Sequence, residues 1–226
     1  MRIRTADLSD LKEIARVEAA CFPAAEAATE EEFEKRLMKG KNMKGISSIK
    51  TVVAVGIGAA LFLVLGRFVA IPSPVPNTQI SLQYAVLALF AVMYGPMAGG
   101  LIGLVGHTLM DLSWGGSPWW SWVLASAFAG LLIGCSAKKI RIEDGDFGAG
   151  KKVLFALVNI VAHAIAWGFI APTLDILIYA EPANKVYLQG MFAAASNMLT
   201  GVVVGGLLLV SYSKTIVKTG SLDMEE

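Results

Sequence analysis

The chain has 226 residues, 55% of them hydrophobic and only 16% charged, with a formal net charge of +1 and a mean hydropathy of +0.62. Soluble domains are about a quarter charged, so this composition argues against an ordinary soluble fold, and the near-zero net charge gives no basis for binding nucleic acid. Most acidic side chains lie before Leu37 or after Leu222, and the stretch between them reads as the body of an integral membrane protein with a small polar head.

Residues 1–42 form that head. "RIRTA" alternates like a short strand. "SDLKEIARVEAACF" then sets Leu11, Ile14, Ala15 and Val17 on one helical face. After Pro23, Thr29 and Glu32 stand at capping-box spacing and open a second helix. One strand and two short helices cannot bury a self-sufficient core. The run "DLKEIARVEAACFPAAEAATEEEFEKRL" resembles the N-terminal strand–helix–helix of GNAT-type acetyltransferases. That family's acetyl-CoA phosphate loop has no counterpart further along. A truncated GNAT-like extension without acetyltransferase activity is therefore expected, with Met43 a natural alternative first residue. With no apolar run at the N-terminus, a cleaved signal peptide is not expected, and the first span serves as its own insertion signal.

Six apolar runs follow, at about Thr51–Ile71, Leu82–Tyr94, Met97–Leu112, Pro118–Ala137, Val153–Leu174 (extending toward Tyr179) and Val186–Tyr212. The second and third are short of the roughly 20 residues a bilayer core asks for and are joined by the turn "YGPMAGG". Basic residues cluster before the first run (Lys41, Lys44, Lys50), between the fourth and fifth (Lys138, Lys139, Arg141, Lys151, Lys152) and after the sixth (Lys214, Lys218). Arg67 and Lys185 alone fall on the other side. The positive-inside rule then predicts a multi-pass protein of the cell membrane with both termini cytoplasmic. The stretches "VAIPSPVPNTQISLQ", "DLSWGGSPWWSW" and "LDILIYAEPANK" would all face outward. The fold class expected is an all-α membrane protein, a six-transmembrane-helix bundle with a short α/β-like N-terminal cytoplasmic extension. Its parts are residues 1–42, a membrane domain at 43–218 and a polar tail at 219–226.

"GDFGAGKK", from Gly145 to Lys152, nearly fits a phosphate-binding loop, but Lys152 replaces the hydroxyl residue that would hold magnesium and no strand precedes it. It reads as a flexible cytoplasmic loop carrying topology-setting lysines, so any ATP hydrolysis belongs to another subunit. Cys21 and Cys135 have no metal-ligand spacing and make no disulfide framework. No acid–base pair or metal cluster is legible, so no catalytic residue, metal or cofactor is expected. An intramembrane enzyme built around His163 is the competing class.

Small residues recur at four-residue spacing in the first run, Gly56 with Ala60 and Ala54 with Gly58 on an adjacent stripe. Such spacing lets helix backbones approach closely, either to dock a partner or to pack the body itself; for Gly201 and Gly205 internal packing is the expectation. Asn159, His163 and Trp167 recur every four residues and share a helix face. Polar groups inside a span face an interior or a cavity, and the same holds for Asn197, although Asn159 and Asn197 are equally suited to clamping helices together. Trp114, Trp119, Trp120 and Trp122 gather near Asp111, as interface-belt residues or as a pocket wall.

"SIKTVVAVGIGAALFLVLGRFVAIPSPVPNTQISLQYAVLALFAVMYGPMAGGLIGLVGHTLMDL" and "WGGSPWWSWVLASAFAGLLIG" resemble the S component, the membrane-embedded substrate-binding subunit, of energy-coupling-factor (ECF) vitamin transporters, in particular the riboflavin S components. The resemblance implies a six-helix bundle that binds its vitamin near the outer face. It also implies docking, through small residues of the first span, onto a transmembrane coupling subunit served by two ATPase subunits. Gly56 and Ala60 stand where the family's docking motif lies, with Gly in place of the more usual Ala. Asn77 and Gln79 stand in the loop that closes over the ligand in that family, where three prolines limit its conformations.

Ligands rich in carboxylate or phosphate call for Arg or Lys clamps, and the outward side has almost none. A flat, neutral or weakly cationic heteroaromatic fits better. Riboflavin is the expected ligand, with thiamin, its hydroxymethylpyrimidine precursor and cobalamin as alternatives; folate and biotin are disfavoured. The residues expected to hold it are Asn77, Gln79, Asp111, Trp114, Trp119, Asn159, His163, Trp167 and Asn197.

Overall fold

The computed structural model describes residues 8–23, 28–35 and 49–216. They belong to two compact units, Met1–Ile49 and Lys50–Glu226.

In the first unit a 3-10 turn, Leu8–Asp10, leads into α1, Leu11–Cys21. Leu11, Ile14 and Ala15 are half-buried, while Val17 stays exposed. The second helix, α2, is described over residues 30–35. Its start is a reciprocal capping box: the Glu32 carboxylate accepts from the Thr29 backbone N–H (2.9 Å), and the Glu32 N–H donates to Thr29 Oγ1 (3.3 Å). The expected "RIRTA" strand lies outside the described residues.

Among its described residues, the second unit is helical apart from one tiny hairpin and the connecting turns. Helix α3 is Ile49–Phe68, followed by β1, Ile71–Pro72, and β2, Gln79–Ile80, paired antiparallel. Then come α4, Gln83–Tyr94, α5, Pro96–Ser113, α6, Trp120–Gly134, and the short α7, Ala137–Ile140. A continuous rod follows, made of α8, Ala149–Ile165, a π-helical turn, Ala166–Ile170, and α9, Ala171–Tyr179. The last rod is α10, Ala183–Thr200, a second π turn, Gly201–Gly205, and α11, Gly206–Thr215.

Each predicted apolar run carries a helix. Among the described residues, four helical stretches are long and apolar enough to cross a membrane: Ile49–Phe68, Trp120–Asp144, Ala149–Tyr179 and Ala183–Thr215. Helix α4 has only 12 residues, and α5 is diluted by glycines, His107 and Asp111. Between them the chain reverses at Gly95, whose φ of +87° suits glycine, and Pro96 opens α5 where its missing N–H costs nothing.

The core is built on close backbone approach. A Cβ at Gly99 would meet the Gly130 carbonyl, and one at Gly103 would meet the Ser126 carbonyl, so α5 and α6 touch backbone to backbone. Leu87, Ile102, Ile133, Phe155 and Trp167 fill the space around this seam. The Gly201–Gly205 turn also packs internally, against the Asn159 amide and against Ala85 and Phe155.

Two expectations need correcting here. The "GDFGAGKK" loop is pinned rather than flexible, because Phe147 is buried with its ring 6.2 Å from that of Phe155 and Lys151 pairs with Asp146 (3.2 Å). The small residues of α3 also divide between two faces. Ala54 and Gly58 turn inward, where the Ile102 and Phe90 side chains leave no room for a Cβ at Gly58, so they pack the body itself. Gly56 and Ala60 are exposed, and a Cβ at Gly56 would have no neighbour within 4 Å among the described residues.

Candidate functional site

One end of the helical body is hollow. The cavity holds about 640 Å³ and is walled by the hairpin loop, the start of α4, the end of α5, the start of α6, and the facing ends of the two long rods. That volume lies within the range of small-molecule sites.

A buried carboxylate organises one wall. Asp175, 2% exposed, accepts from the Trp119 indole N–H (2.5 Å) and the Ser121 hydroxyl on Oδ1, and from the Trp122 indole N–H (2.8 Å) on Oδ2. A carboxylate in an apolar surrounding is tolerable only when its lone pairs are filled in this way, and the bonds fix both indole planes at the cavity wall. Tyr179 supports this wall without lining the cavity: its ring lies 4.4 Å from that of Trp119 and its hydroxyl accepts the Trp120 N–H (3.0 Å).

Asp111 organises the adjoining stretch of wall, joined to the first through Trp119. It is four residues after His107 on α5, so the two share a face. His107 Nε2 lies 3.5 Å from Asp111 Oδ1, and Asp111 Oδ2 accepts the Trp119 backbone N–H (2.9 Å). On its other edge His107 Nδ1 meets Ser126 Oγ at 2.5 Å, and that hydroxyl also meets the Tyr84 hydroxyl at 2.8 Å. The Ser126–His107–Asp111 row has the residue types of a hydrolytic triad, but Ser126 is fully buried and does not line the cavity. It serves as a hydrogen-bond hub between α4, α5 and α6.

The floor is aromatic. Trp167 stacks on Trp122 (5.5 Å between centroids, 25° between planes), and the Tyr84 ring meets Trp167 and His163 edge-on at 5.3 Å each. The Trp167 indole donates to His163 Nδ1 (2.9 Å), which puts the imidazole proton on Nε2 in the neutral ring.

The cover is the loop between β1 and β2. The Ser73 and Thr78 hydroxyls bond to each other, Thr78 Oγ1 donates to the Val75 carbonyl (2.6 Å), and Asn77 takes a φ of +59°, which Asn tolerates. Two amides tie this loop down. Gln79 Nε2 donates to the Gly66 carbonyl (2.9 Å), and Gln189 Nε2 of α10 donates to the Pro76 carbonyl (2.8 Å).

Of the nine expected contact residues, Asn77, Gln79, Asp111, Trp114, Trp119, Trp167 and Asn197 line this one cavity. Asn159 and His163 do not. They sit below the floor, fully buried, and His163 Nε2 and both Asn159 amide atoms lack a hydrogen-bond partner among the described residues. Asn159 and Asn197 are therefore not a mutual clamp. Sequence reasoning missed Gln83, Tyr84, His107, Asp175 and Gln189, all of which line the cavity. The His107–Asp111 pair at four-residue spacing and the lone carboxylate of "LDILIY" were readable signals for two of them.

This helical fold has a counterpart among solved structures. It matches the crystal structure of the S-component for biotin from an ECF-type ABC transporter with a TM-score of 0.50 at 18% identity, over 73% of this chain and 95% of that one. Residues 46–214 match the family model of the ECF-type riboflavin transporter, S component, and the chain belongs to that family. It is thus a substrate-binding transport subunit and not an enzyme.

Relatives named only as UPF0397 proteins include one from Clostridium perfringens, 53% identical over 79% of this chain and 96% of its own length. Another, from Exiguobacterium, is 57% identical over 78% of this chain and 96% of its own. A third, from Lactococcus lactis subsp. cremoris, is 50% identical over 84% of this chain and all of its own length. The family match begins at residue 46, so the acetyltransferase likeness of residues 1–42 receives no support from it.

Proposed function

We propose that this chain captures a vitamin at the outer face of the cell membrane and hands it inward as the S subunit of an ECF-type importer. The observation that carries this reading is the cavity: a tryptophan-walled hollow of about 640 Å³ under a proline-stiffened loop, in a body of the S-component family. In this reading α4 and α5 complete a six-span body and both termini are cytoplasmic. The lysine-rich turns lie opposite the cavity, as the positive-inside rule asks. The coupling subunit docks on the exposed Gly56 and Ala60 face of α3, and two ATPase subunits supply the energy.

The ligand is a flat heteroaromatic. Trp119 and Trp122 are held in fixed planes for stacking, and Asn77, Gln79 and Asn197 offer amides around the rim and wall. Riboflavin is the candidate that the family description supplies. Thiamin and its hydroxymethylpyrimidine precursor fit the same walls, while cobalamin is bulkier than this volume suits. The test is an absorbance spectrum of the detergent-purified protein, with mass spectrometry of whatever it releases on denaturation. A released vitamin supports capture and names its ligand. Absence of binding across a vitamin panel would remove the reading.

A further inference from the structure

The charges around the cavity do not balance. Its lining contains three carboxylates, Asp111, Asp175 and Glu181, and one ammonium, Lys185. Lys185 is already paired with Glu181 at 2.7 Å. Arg67 does not line the cavity, and its guanidinium lies 3.7 Å above the Trp114 ring. Two negative charges are left facing the hollow.

They are not equivalent. Asp175 is occupied by Trp119, Ser121 and Trp122. Asp111 keeps acceptor capacity on Oδ1, because the 3.5 Å separation from His107 is long for a hydrogen bond. Asp111 lines the cavity with its side chain 17% exposed, and a carboxylate in such partly desolvated surroundings favours a cation and repels an anion.

We infer, on the basis of the capture reading, that the ligand is a flat heteroaromatic carrying positive charge or a protonatable amino edge, and that Asp111 receives that edge. Indole faces on the wall suit the same chemistry, since a cationic ring gains from the negative face of a tryptophan. Phosphorylated or carboxylated relatives of the ligand meet two carboxylates and, among the described residues that line the cavity, no cation beyond the paired Lys185, so they are disfavoured.

The test is a charge series on the full-length protein in detergent, read by tryptophan quenching. The probes are thiamin, its aminopyrimidine precursor, riboflavin, thiamin monophosphate and biotin. The expected result is that thiamin or the aminopyrimidine binds at least about tenfold more tightly than riboflavin, with thiamin monophosphate and biotin weakest. This ranking needs no variant, so it decides even if Asp111 substitutions fold poorly. With folded variants, Asp111→Asn shrinks the cation-over-neutral ratio and Asp111→Glu restores part of it.

Riboflavin binding more tightly than both cationic probes would overturn the charge inference and leave the capture reading standing, as would a ratio unmoved in Asp111→Asn. If no probe binds and cells expressing the intact transporter take up none of them, both readings fall together.

Discussion

Helices α5 and α3 both carry small residues at four-residue spacing, yet the structure uses them in opposite ways. On α5, Gly99 and Gly103 press against carbonyls of α6 with no room for a methyl group. On α3, a Cβ at Gly56 would meet nothing within 4 Å among the described residues, while one at Gly58, two positions on, would be pressed by Ile102. The spacing says that a backbone is bare on one side; it does not say what comes to lie there. On α5 the chain itself fills the space. On α3 half of the pattern is filled by the chain and the other half is left on the surface, beside exposed Val53, Ile57 and Val64.

This contrast can be broken at its strongest point first. Gly103→Leu puts a side chain into the α6 backbone, and the expected outcome is loss of about 3 kcal/mol or more, read as failure to recover monodisperse protein in detergent. A folded Gly103→Leu protein with an unchanged melting temperature would show that the seam is not fixed.

Asp175→Ala comes next. It strips the acceptor from two indoles and a hydroxyl, each unpaired donor costing about 1–3 kcal/mol. Both a lower melting temperature and weaker ligand binding are expected. Unchanged binding would mean that the indole planes do not matter to the ligand.

Gly56→Leu with Ala60→Leu sharpens the other half of the comparison. Uptake by cells carrying the coupling and ATPase subunits is expected to fall by about tenfold or more, while binding by the purified S subunit stays within about twofold, since close helix approach rather than the cavity is disturbed. Loss of binding instead would place that face in the packing of the body. The smallest effect belongs to Gln189→Ala, which removes one amide bond from the loop cover. Such a bond is worth about 1 kcal/mol, so ligand should dissociate several-fold faster in stopped-flow quenching.

Much of the membrane body was readable because apolar runs and their lengths report burial in lipid directly. Each of the six runs holds a helix, within a few residues of its expected limits. Aromatic and amide clusters at one end of those runs pointed to the cavity, and Trp114, Trp119, Asn77 and Asn197 do line it. What stayed hidden depends on depth and on partners. Asn159, His163 and Trp167 share a helix face, but the cavity ends at the Trp167 ring, and sequence spacing carries no measure of depth. Asp175 was passed over because a single carboxylate near a span end looks like interface polarity. Its three donors come from positions 53 to 56 residues away. The hairpin was hidden by its prolines, which discourage strand assignment although a two-residue pair tolerates one at its edge.

The π turn at Ala166–Ile170 changes how the α8–α9 rod can be counted. Pro172 has no N–H, and its ring crowds the carbonyl of Gly168, four residues back, so the helix widens there. An unbroken α-helix would set Asp175 roughly 80° around the axis from Trp167, at about 100° per residue. A turn that absorbs one extra residue brings the offset down to roughly 20°. Asp175 can therefore share a cavity with the tryptophan eight positions before it. The rod carries one surplus residue, and its tolerance of shortening is uneven along its length. Removing Gly168 can relax the wide turn and leave the carboxylate in phase. Removing Leu174 turns the carboxylate about a quarter of the way round the axis, away from both indoles.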